Sequence, residues 1–257
     1  MKTLITTFAA VAMLCAALPA AEDALQTNND ALRAAVEGKK GTADVKRLAV
    51  LVLSEARKQM GPMPADGDKE NWDLHVKYAQ QVSEYAEYAL YSASVGAPAA
   101  TAIDMISTLE AQAPKSKYLT QDAYLVVANA AMSAQQADRA AAFARKALTA
   151  PKGTKPEQAA GNAHWIIGVV AANKKDMSTA DKELRASLTG IKGMAIMEGP
   201  AYYFLGEADY SMGRQAMDRA QADQGIKFVQ QAAVIPGQYQ TMAQGEVRRM
   251  KTEMGEK

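Results

Sequence analysis

Few side chains in this sequence have the types and spacing that catalysis or metal binding requires. The chain contains two histidines, His75 and His164, and one cysteine, Cys15. Neither histidine lies in an H-E-x-x-H pattern, which places two imidazoles on a zinc ion with a glutamate beside it. His75 lies near Trp72 in a predicted helix, and His164 lies in an apolar helical segment. Packing therefore explains both histidines better than ligation or catalysis.

Residues 66–71, with the sequence DGDKEN, loosely resemble a calcium-binding loop. An EF-hand loop needs glycine at its sixth position and a bidentate glutamate at its twelfth. Here the glycine is second and the distal glutamate is absent, so a hydrated linker is the better interpretation. The sequence also has no phosphate-binding glycine loop, nucleophile elbow or paired catalytic carboxylates. We therefore expect no enzyme activity, no cofactor and no metal.

The charge balance argues against a nucleic-acid partner. The chain has 29 basic residues (Lys and Arg) and 28 acidic residues (Asp and Glu), a formal net charge of +1. Binding through counterion release needs a clustered excess of lysine and arginine. The basic runs within residues 39–47 and 248–251 are short and interleaved with acidic residues, which is typical of solvated helix faces.

Residues 1–21 have the pattern of a secretory signal peptide. Lys2 is the only charge before Glu22, residues 4–18 are almost continuously apolar, and residues 18–21 supply small side chains for cleavage. The apolar run is shorter than the roughly 20 residues that a transmembrane helix needs. We expect an exported protein, periplasmic or secreted, that is soluble after cleavage and has no transmembrane span.

Cys15 raises one alternative, which is lipidation. A lipidated cysteine is expected to follow a small residue, whereas Leu14 is bulky. Cleavage near residue 20 or 21 would also remove Cys15 and leave a mature chain without cysteine. Such a chain has no disulfides, thiol nucleophiles or thiolate metal ligands.

Small residues recur in pairs along the rest of the chain. The first members of successive pairs are 38 to 40 residues apart, and such a period is typical of helical repeat proteins. Within a pair the spacing is twelve residues, with one extra residue in the first unit and seven in the fourth. The pairs are Ala89 with Ala102, Ala128 with Ala140, Gly168 with Ala180, and Gly206 with Gly225.

The residues around these pairs resemble the tetratricopeptide repeat. That family carries a large residue, an aliphatic and a small residue three and four later, a second small residue twelve further on, and apolar residues four and seven beyond it. The first unit departs from the pattern at Tyr88, an aromatic in the aliphatic position. The second and third units match in strict register through Tyr124, Val127, Ala128, Ala140, Ala144 and Ala147, and through His164, Ile167, Gly168, Ala180, Leu184 and Ser187.

The resemblance implies an all-α fold, an α-α superhelix (a solenoid similar to tetratricopeptide-repeat domains) of about four helix pairs with capping helices at both ends. Residues 22–71 are expected to form N-terminal capping helices and a linker, and residues 238–257 a closing helix. The repeats are expected over residues 72–237, divided at about 72–116, 117–155, 156–197 and 198–237.

Gly168 lies in the middle of a predicted helix, although glycine costs a helix interior about 1 kcal/mol relative to alanine. Two antiparallel helices approach closely only where the side chains at their crossing are small. We therefore expect Gly168 to let the helix that carries Ala180 pack against it.

In this family the first helices of the units line a concave groove. The family's carboxylate clamp uses lysine and asparagine; Asn129 matches the asparagine, but Ala86, Leu125 and Trp165 stand where a lysine would be, so we expect no clamp. Aromatic residues at one end suit a peptide with apolar anchors; alternatively, the rings pack against neighbouring helices. The residues predicted to contact the peptide are Leu90, Leu125, Asn129, Met132, Trp165, Val169, Tyr203, Glu207 and Tyr210.

The leading hypothesis is a non-catalytic, exported bacterial scaffold that binds a peptide or protein segment in this groove. A second hypothesis is structural: the solenoid associates with itself or with an envelope complex through its convex face or its ends. A third is an enzyme or small-molecule carrier that uses the groove. The sequence is compatible with a monomer and with an oligomer.

Overall fold

The structure of the protein is a computed structural model that describes residues 24–65 and 67–255. The predicted signal peptide and Cys15 lie outside the described residues. So does Asp66, the first residue of the acidic loop.

The described residues form eleven α-helices and no strand, which confirms the predicted all-α class. The breaks between the helices of each predicted unit contain the turns at residues 95–98, 134–136, 174–176 and 217–218. The helices are α1 (Ala24–Glu37), α2 (Thr42–Gln59), α3 (Lys69–Ser94), α4 (Ala99–Gln112), α5 (Gln121–Ser133), α6 (Ala137–Thr149), α7 (Pro156–Asn173), α8 (Met177–Ser187), α9 (Ala195–Ala216), α10 (Arg219–Val234) and α11 (Gln240–Glu253).

Each helix packs against the next one along the chain, so the molecule is a solenoid-like stack of helix hairpins. The odd-numbered helices also contact one another in sequence from α1 to α11. Among the even-numbered helices of the described chain, only α2 and α4 do so. Because helices on the inner side of a curved stack lie closer together, we infer that the odd-numbered helices form its inner layer.

The N-terminal hairpin is explained by the amphipathic pattern of α2. Valine, leucine and alanine recur every three or four residues along this helix, and this spacing places them on one face. Asp44 lies in the first turn, and Arg57 and Lys58 lie in the last turn. Each charge is opposite in sign to that end of the helix dipole and so stabilises the helix. The residues that α2 buries are Val45, Leu48, Ala49, Val52, Leu53 and Ala56.

Gly168 of α7 packs against α8, as the sequence predicts. A β-carbon at Gly168 would lie 2.6 Å from Leu184 Cγ and 3.1 Å from the Leu184 backbone nitrogen. The closest contact is thus one helical turn beyond Ala180, which is itself fully buried. The missing side chain of Gly168 provides the space that Leu184 occupies.

Two apolar clusters form the core, one spanning α1 to the middle of α7 and the other from there to α11. Met132 of α5 and Trp165 of α7 are half-buried and pack against both clusters. The stack is therefore continuous in its core. In the part of the chain that the structure describes, no helix has both the length and the apolar character that crossing a membrane requires.

Candidate functional site: the inner layer and the C-terminal pocket

The nine residues predicted to line the groove lie on the inner-layer helices, and five of them are buried. Asn129 is exposed, while Met132, Trp165 and Glu207 are half-buried. Of the neighbouring positions, Ala86 and Ala172 are buried and Ala93 is half-buried. The predicted groove residues that are less than 10% exposed are Leu90, Leu125, Val169, Tyr203 and Tyr210.

The aromatic rings of this set make contacts within the protein. The Trp165 indole Nε1 donates a hydrogen bond to the backbone oxygen of Met197 at the start of α9, at 2.9 Å. The Tyr203 ring lies 5.3 Å from the ring of Tyr239, which precedes α11. The Tyr210 hydroxyl donates to the Glu253 carboxylate of α11, at 2.8 Å. These contacts join successive inner-layer elements, and the buried rings of Tyr203 and Tyr210 are not free apolar anchors for a peptide.

A recess remains open at the C-terminal end of the inner layer. Its volume is about 330 Å³, and it lies between the α7–α8 turn, α9 and α11. It includes two of the predicted groove residues, Glu207 and Tyr210. We call it the C-terminal pocket, and its lining residues are Lys175, Met177, Glu207, Tyr210, Ser211, Arg214, Gln215, Arg249 and Glu253.

Helix α9, the α7–α8 turn and helix α11 position these side chains. Residues 210, 211, 214 and 215 come three, four, seven and eight positions after residue 207, so the five residues share one face of α9. The α7–α8 turn presents Lys175, whose φ of 63° lies in the left-handed region that closes a helix. Helix α11 is held against the stack by Ala243 and Met250, which are both fully buried.

On the α11 side of the pocket, the charges are already paired. Arg249 donates to both oxygens of Glu246, at 3.0 Å, and to Glu253 Oε1, at 2.5 Å. The guanidinium also lies 5.7 Å from the centre of the Tyr210 ring. The hydrogen bond from the Tyr210 hydroxyl, followed by those from Arg249, lowers the pKa of Glu253. This side of the pocket is therefore a fixed network of ion pairs and hydrogen bonds.

On the side formed by α9 and the α7–α8 turn, fewer charges are paired. Glu207 accepts a hydrogen bond from the Tyr203 hydroxyl at 3.1 Å, and burial raises the pKa of its carboxyl. Arg214 is exposed and donates hydrogen bonds to the backbone oxygen of Glu253, at 3.4 Å, and to the Met254 sulfur, and its charge also lowers the pKa of Glu253. Lys175 forms no ion pair with any described residue, although its charge favours the ionised form of Glu207. Two cationic groups are thus available to an incoming anionic side chain.

The pocket offers hydrogen-bond donors and acceptors and side chains of both charges. Its lining contains no histidine, cysteine or serine–histidine pair. Within residues 24–65 and 67–255, no group of three side chains suits a metal ion. The arrangement can hold polar side chains or backbone groups by ion pairing and hydrogen bonding.

Each histidine contacts another side chain of the protein, His164 through a polar contact and His75 through a ring contact. His164 Nδ1 is 2.7 Å from Glu183 Oε2, which links α7 to α8. The ring of His75 stacks on that of Trp72, with centroids 6.0 Å apart. At the end of the acidic loop, Asp68 accepts a hydrogen bond from the Asn71 backbone nitrogen and so caps α3.

Sequence reasoning missed most of the C-terminal pocket. The predicted groove residues lie three residues before, and one and four residues after, the first small residue of each repeat unit, and α11 lies outside the repeat units. The repeat pattern therefore could not predict that Arg249 and Glu253 line the pocket. It could have predicted this for Arg214, because Arg214 lies two helical turns after Glu207 on the same face of α9.

Comparison with known proteins finds no family model, no curated sequence and no solved structure that matches this chain. The fold itself defines the class: an all-α protein with a solenoid-like stack of helix hairpins.

Proposed function

We propose that this protein is a non-catalytic scaffold that binds a polar segment of a protein partner in the C-terminal pocket. The observation that carries the proposal is the convergence of three inner-layer elements on one open recess with available charges. A volume of about 330 Å³ accommodates a few side chains rather than a folded domain. The resemblance to tetratricopeptide repeats supports a role in peptide recognition.

The chemistry of the pocket favours a partner different from the apolar peptide that the sequence predicts. The rings of Tyr203 and Tyr210 are buried, and the Trp165 indole nitrogen is hydrogen-bonded to the Met197 backbone oxygen. Lys175 and Arg214 are exposed and form no ion pair with any described residue, although their charges act on the carboxylates of Glu207 and Glu253. An acidic side chain on the bound segment would meet both cations, and charge-assisted hydrogen bonds are stronger than neutral ones.

A peptide library selected against the full chain tests this proposal. We expect the selected peptides to share an acidic residue and to lose about tenfold or more in affinity for the double variant Lys175→Ala, Arg214→Ala. The matched control is Arg145→Ala with Lys182→Ala, which removes two exposed cations from the outer-layer helices. Equal affinity for both double variants, or selected peptides without acidic residues, would contradict the proposal.

An exported location is part of the proposal, and its support is the pattern of residues 1–21. Expression in a bacterial host followed by N-terminal sequencing of the periplasmic product tests it. We expect the mature chain to begin near residue 21 or 22. A mature chain that begins at Cys15 and carries lipid would instead support the lipoprotein alternative.

A structural role by self-association is a second candidate, favoured by an apolar edge on the last helix hairpin. Ile196, Val234 and Met242 are 84%, 75% and 50% exposed. A β-carbon at Gly199 would lie 3.7 Å from Ile235, so the start of α9 lies beside the end of α10. The Gln244 side chain donates to the Ala233 backbone oxygen, which places the first turns of α11 at the same edge.

Light scattering across a range of protein concentrations tests this second candidate. Self-association through the apolar edge predicts a mass above that of one chain, and Ile196→Lys with Val234→Lys would restore the monomer. A monomer at all concentrations would remove this candidate and leave the peptide-binding proposal unaffected.

A further inference from the structure

A second surface, far along the chain from the C-terminal pocket, combines aromatic rings with carboxylates. Tyr118, in the loop before α5, packs against two rings of α3. Its ring centroid is 5.7 Å from that of Tyr88 and 5.9 Å from that of Tyr91. Tyr88 is 44% exposed, and the other two rings are half-buried. We call these three rings, together with Glu84 and Glu87, the tyrosine patch.

Local sequence explains why the patch forms. Glu87, Tyr88 and Tyr91 come three, four and seven residues after Glu84 along α3, so the four residues lie on one side of the helix. The loop that brings in Tyr118 is fixed by Ser116, which is buried and accepts a hydrogen bond from the Tyr118 backbone nitrogen at 3.2 Å. The rings are therefore held in place before any partner arrives.

The patch already holds one cation from its own chain. The Lys117 ammonium lies 5.4 Å from the centre of the Tyr118 ring and forms an ion pair with Glu84. Glu87 forms no ion pair with any described residue; it accepts only a hydrogen bond of 3.4 Å from the Ser83 hydroxyl. The patch thus holds one cation, between Glu84 and the Tyr118 ring, while Glu87 and the exposed ring of Tyr88 hold no cation from the described residues.

The geometry points to the tyrosine patch as a binding site for arginine side chains of a basic protein segment. Cations are attracted to the faces of aromatic rings. Arginine suits the site better than lysine because its planar guanidinium stacks on a ring while pairing with a carboxylate. Lys117 shows the same mode of binding within the chain. This inference does not depend on the C-terminal pocket, which favours the opposite charge.

Titration of the full chain with fluorescent octapeptides tests the inference. Three peptides of serine and glycine, each with three arginines, three lysines or three glutamates, serve as probes. We expect the arginine peptide to bind most tightly and the glutamate peptide not to bind. A general attraction of basic peptides is not expected, because the net charge of the chain is +1. Equal binding of the arginine and glutamate peptides would overturn the inference.

Variants assign the binding to the patch. Tyr88→Ala and Glu87→Gln should each weaken the arginine peptide by about two- to fivefold, the effect of one cation–π or exposed ion-pair contact. Glu70→Gln is the matched control, because Glu70 is an exposed acid on the same helix, about 26 Å from Glu87 along its axis. Weakening by Glu70→Gln equal to that by Glu87→Gln would overturn the assignment.

Lys117→Ala should change the affinity for the arginine peptide in the opposite direction. Damage to the fold would not produce such an increase. Its side chain is 60% exposed, so its loss should leave the fold intact. Removing Lys117 frees Glu84 and the face of Tyr118, and the arginine peptide should bind about two- to fivefold more tightly. Weaker or unchanged binding would show that Lys117 does not occupy an arginine site, and would overturn the inference.

Discussion

Gly206 and Gly225 face each other where α9 and α10 cross. A β-carbon on either glycine would lie 2.7 Å from the carbonyl oxygen of the other. A β-carbon on Gly225 would also lie 2.5 Å from the backbone nitrogen of Tyr210. Backbone atoms cannot rotate away as a side chain can, so these two glycines set the distance between the helices.

The first prediction follows from this contact. Gly206→Ala and Gly225→Ala should each lower the free energy of unfolding by about 2 to 3 kcal/mol, towards the upper end of the usual cost of overpacking. Urea denaturation of each variant measures the loss.

Gly245→Ala is the control, because Gly245 lies in α11 and a β-carbon there would meet nothing within 4 Å. That substitution should stabilise the protein by about 0.5 to 1 kcal/mol through helix propensity. If Gly206→Ala were as stable as the wild-type protein, the α9–α10 crossing would not be as close as described.

The second prediction concerns Gly168, where the backbone atom nearest to a β-carbon would lie 3.1 Å away, against 2.7 Å at Gly206. A β-carbon there would lie 2.6 Å from Leu184 Cγ, and part of that side chain can shift. Gly168→Ala should therefore cost less than Gly206→Ala, and Gly168→Leu should cost about 1 to 3 kcal/mol.

A double-mutant cycle with Leu184→Ala checks the contact. Leu184 is fully buried, so its truncation alone should cost about 2 to 5 kcal/mol. Gly168→Ala should be less costly in the Leu184→Ala background than in the wild type, because the clash is gone. Strictly additive effects of the two substitutions would show that the clash with Leu184 is not the cause of the stability loss in Gly168→Ala.

The spacing of small residues predicts the helix pairs well because every unit needs the same close crossing. Gly168 and Gly206 follow from that requirement alone. The contacts of Trp165 and Tyr203 within the protein do not follow from it. A spacing rule gives the direction of a side chain but not whether another helix covers it. Arg249 and Glu253 belong to a helix outside the repeat, so no internal comparison could reveal their role.

The third prediction concerns a charge at the junction of α8, α9 and α10. Arg185 of α8 donates to buried Asp209 of α9 at 2.5 Å and to Asp181 at 2.6 Å. Arg185→Met would leave Asp209 buried without its cation. The loss should be about 2 to 3 kcal/mol, below the roughly 3 to 5 kcal/mol of fully buried pairs, because the Arg185 side chain is 43% exposed.

Adding Asp209→Asn to Arg185→Met tests the reason for that loss. Gln221 can still donate to the asparagine oxygen in place of Asp209 Oδ1, which it reaches at 3.4 Å in the wild type. The double variant should be more stable than Arg185→Met alone by thermal denaturation. A double variant that is less stable would contradict the unpaired charge as the cause.

The fourth prediction tests the packing role of Tyr203. Tyr203 is 8% exposed, and its ring contacts Phe204 and Tyr239. Tyr203→Ala should cost about 3 to 5 kcal/mol, as for other buried aromatic residues. Tyr203→Phe keeps the ring and should cost about 1 kcal/mol, the net value of its hydrogen bond to Glu207. Equal losses for the two variants in urea denaturation would contradict the packing role.

The fifth prediction is a dependence of stability on pH through Glu207. Burial raises the pKa of this carboxyl above its ordinary value of 4.5, so the folded protein binds the proton more tightly than the unfolded chain does. Its contribution to stability is therefore fully present below pH 4.5 and is lost as the pH rises through the pKa of the folded state. Glu207→Gln cannot ionise and still accepts the Tyr203 hydrogen bond, so it should be more stable than the wild type at pH 7. The difference should disappear near pH 4, as measured by urea denaturation at a series of pH values. A gain that persists unchanged at pH 4 would show that ionisation of Glu207 is not its cause.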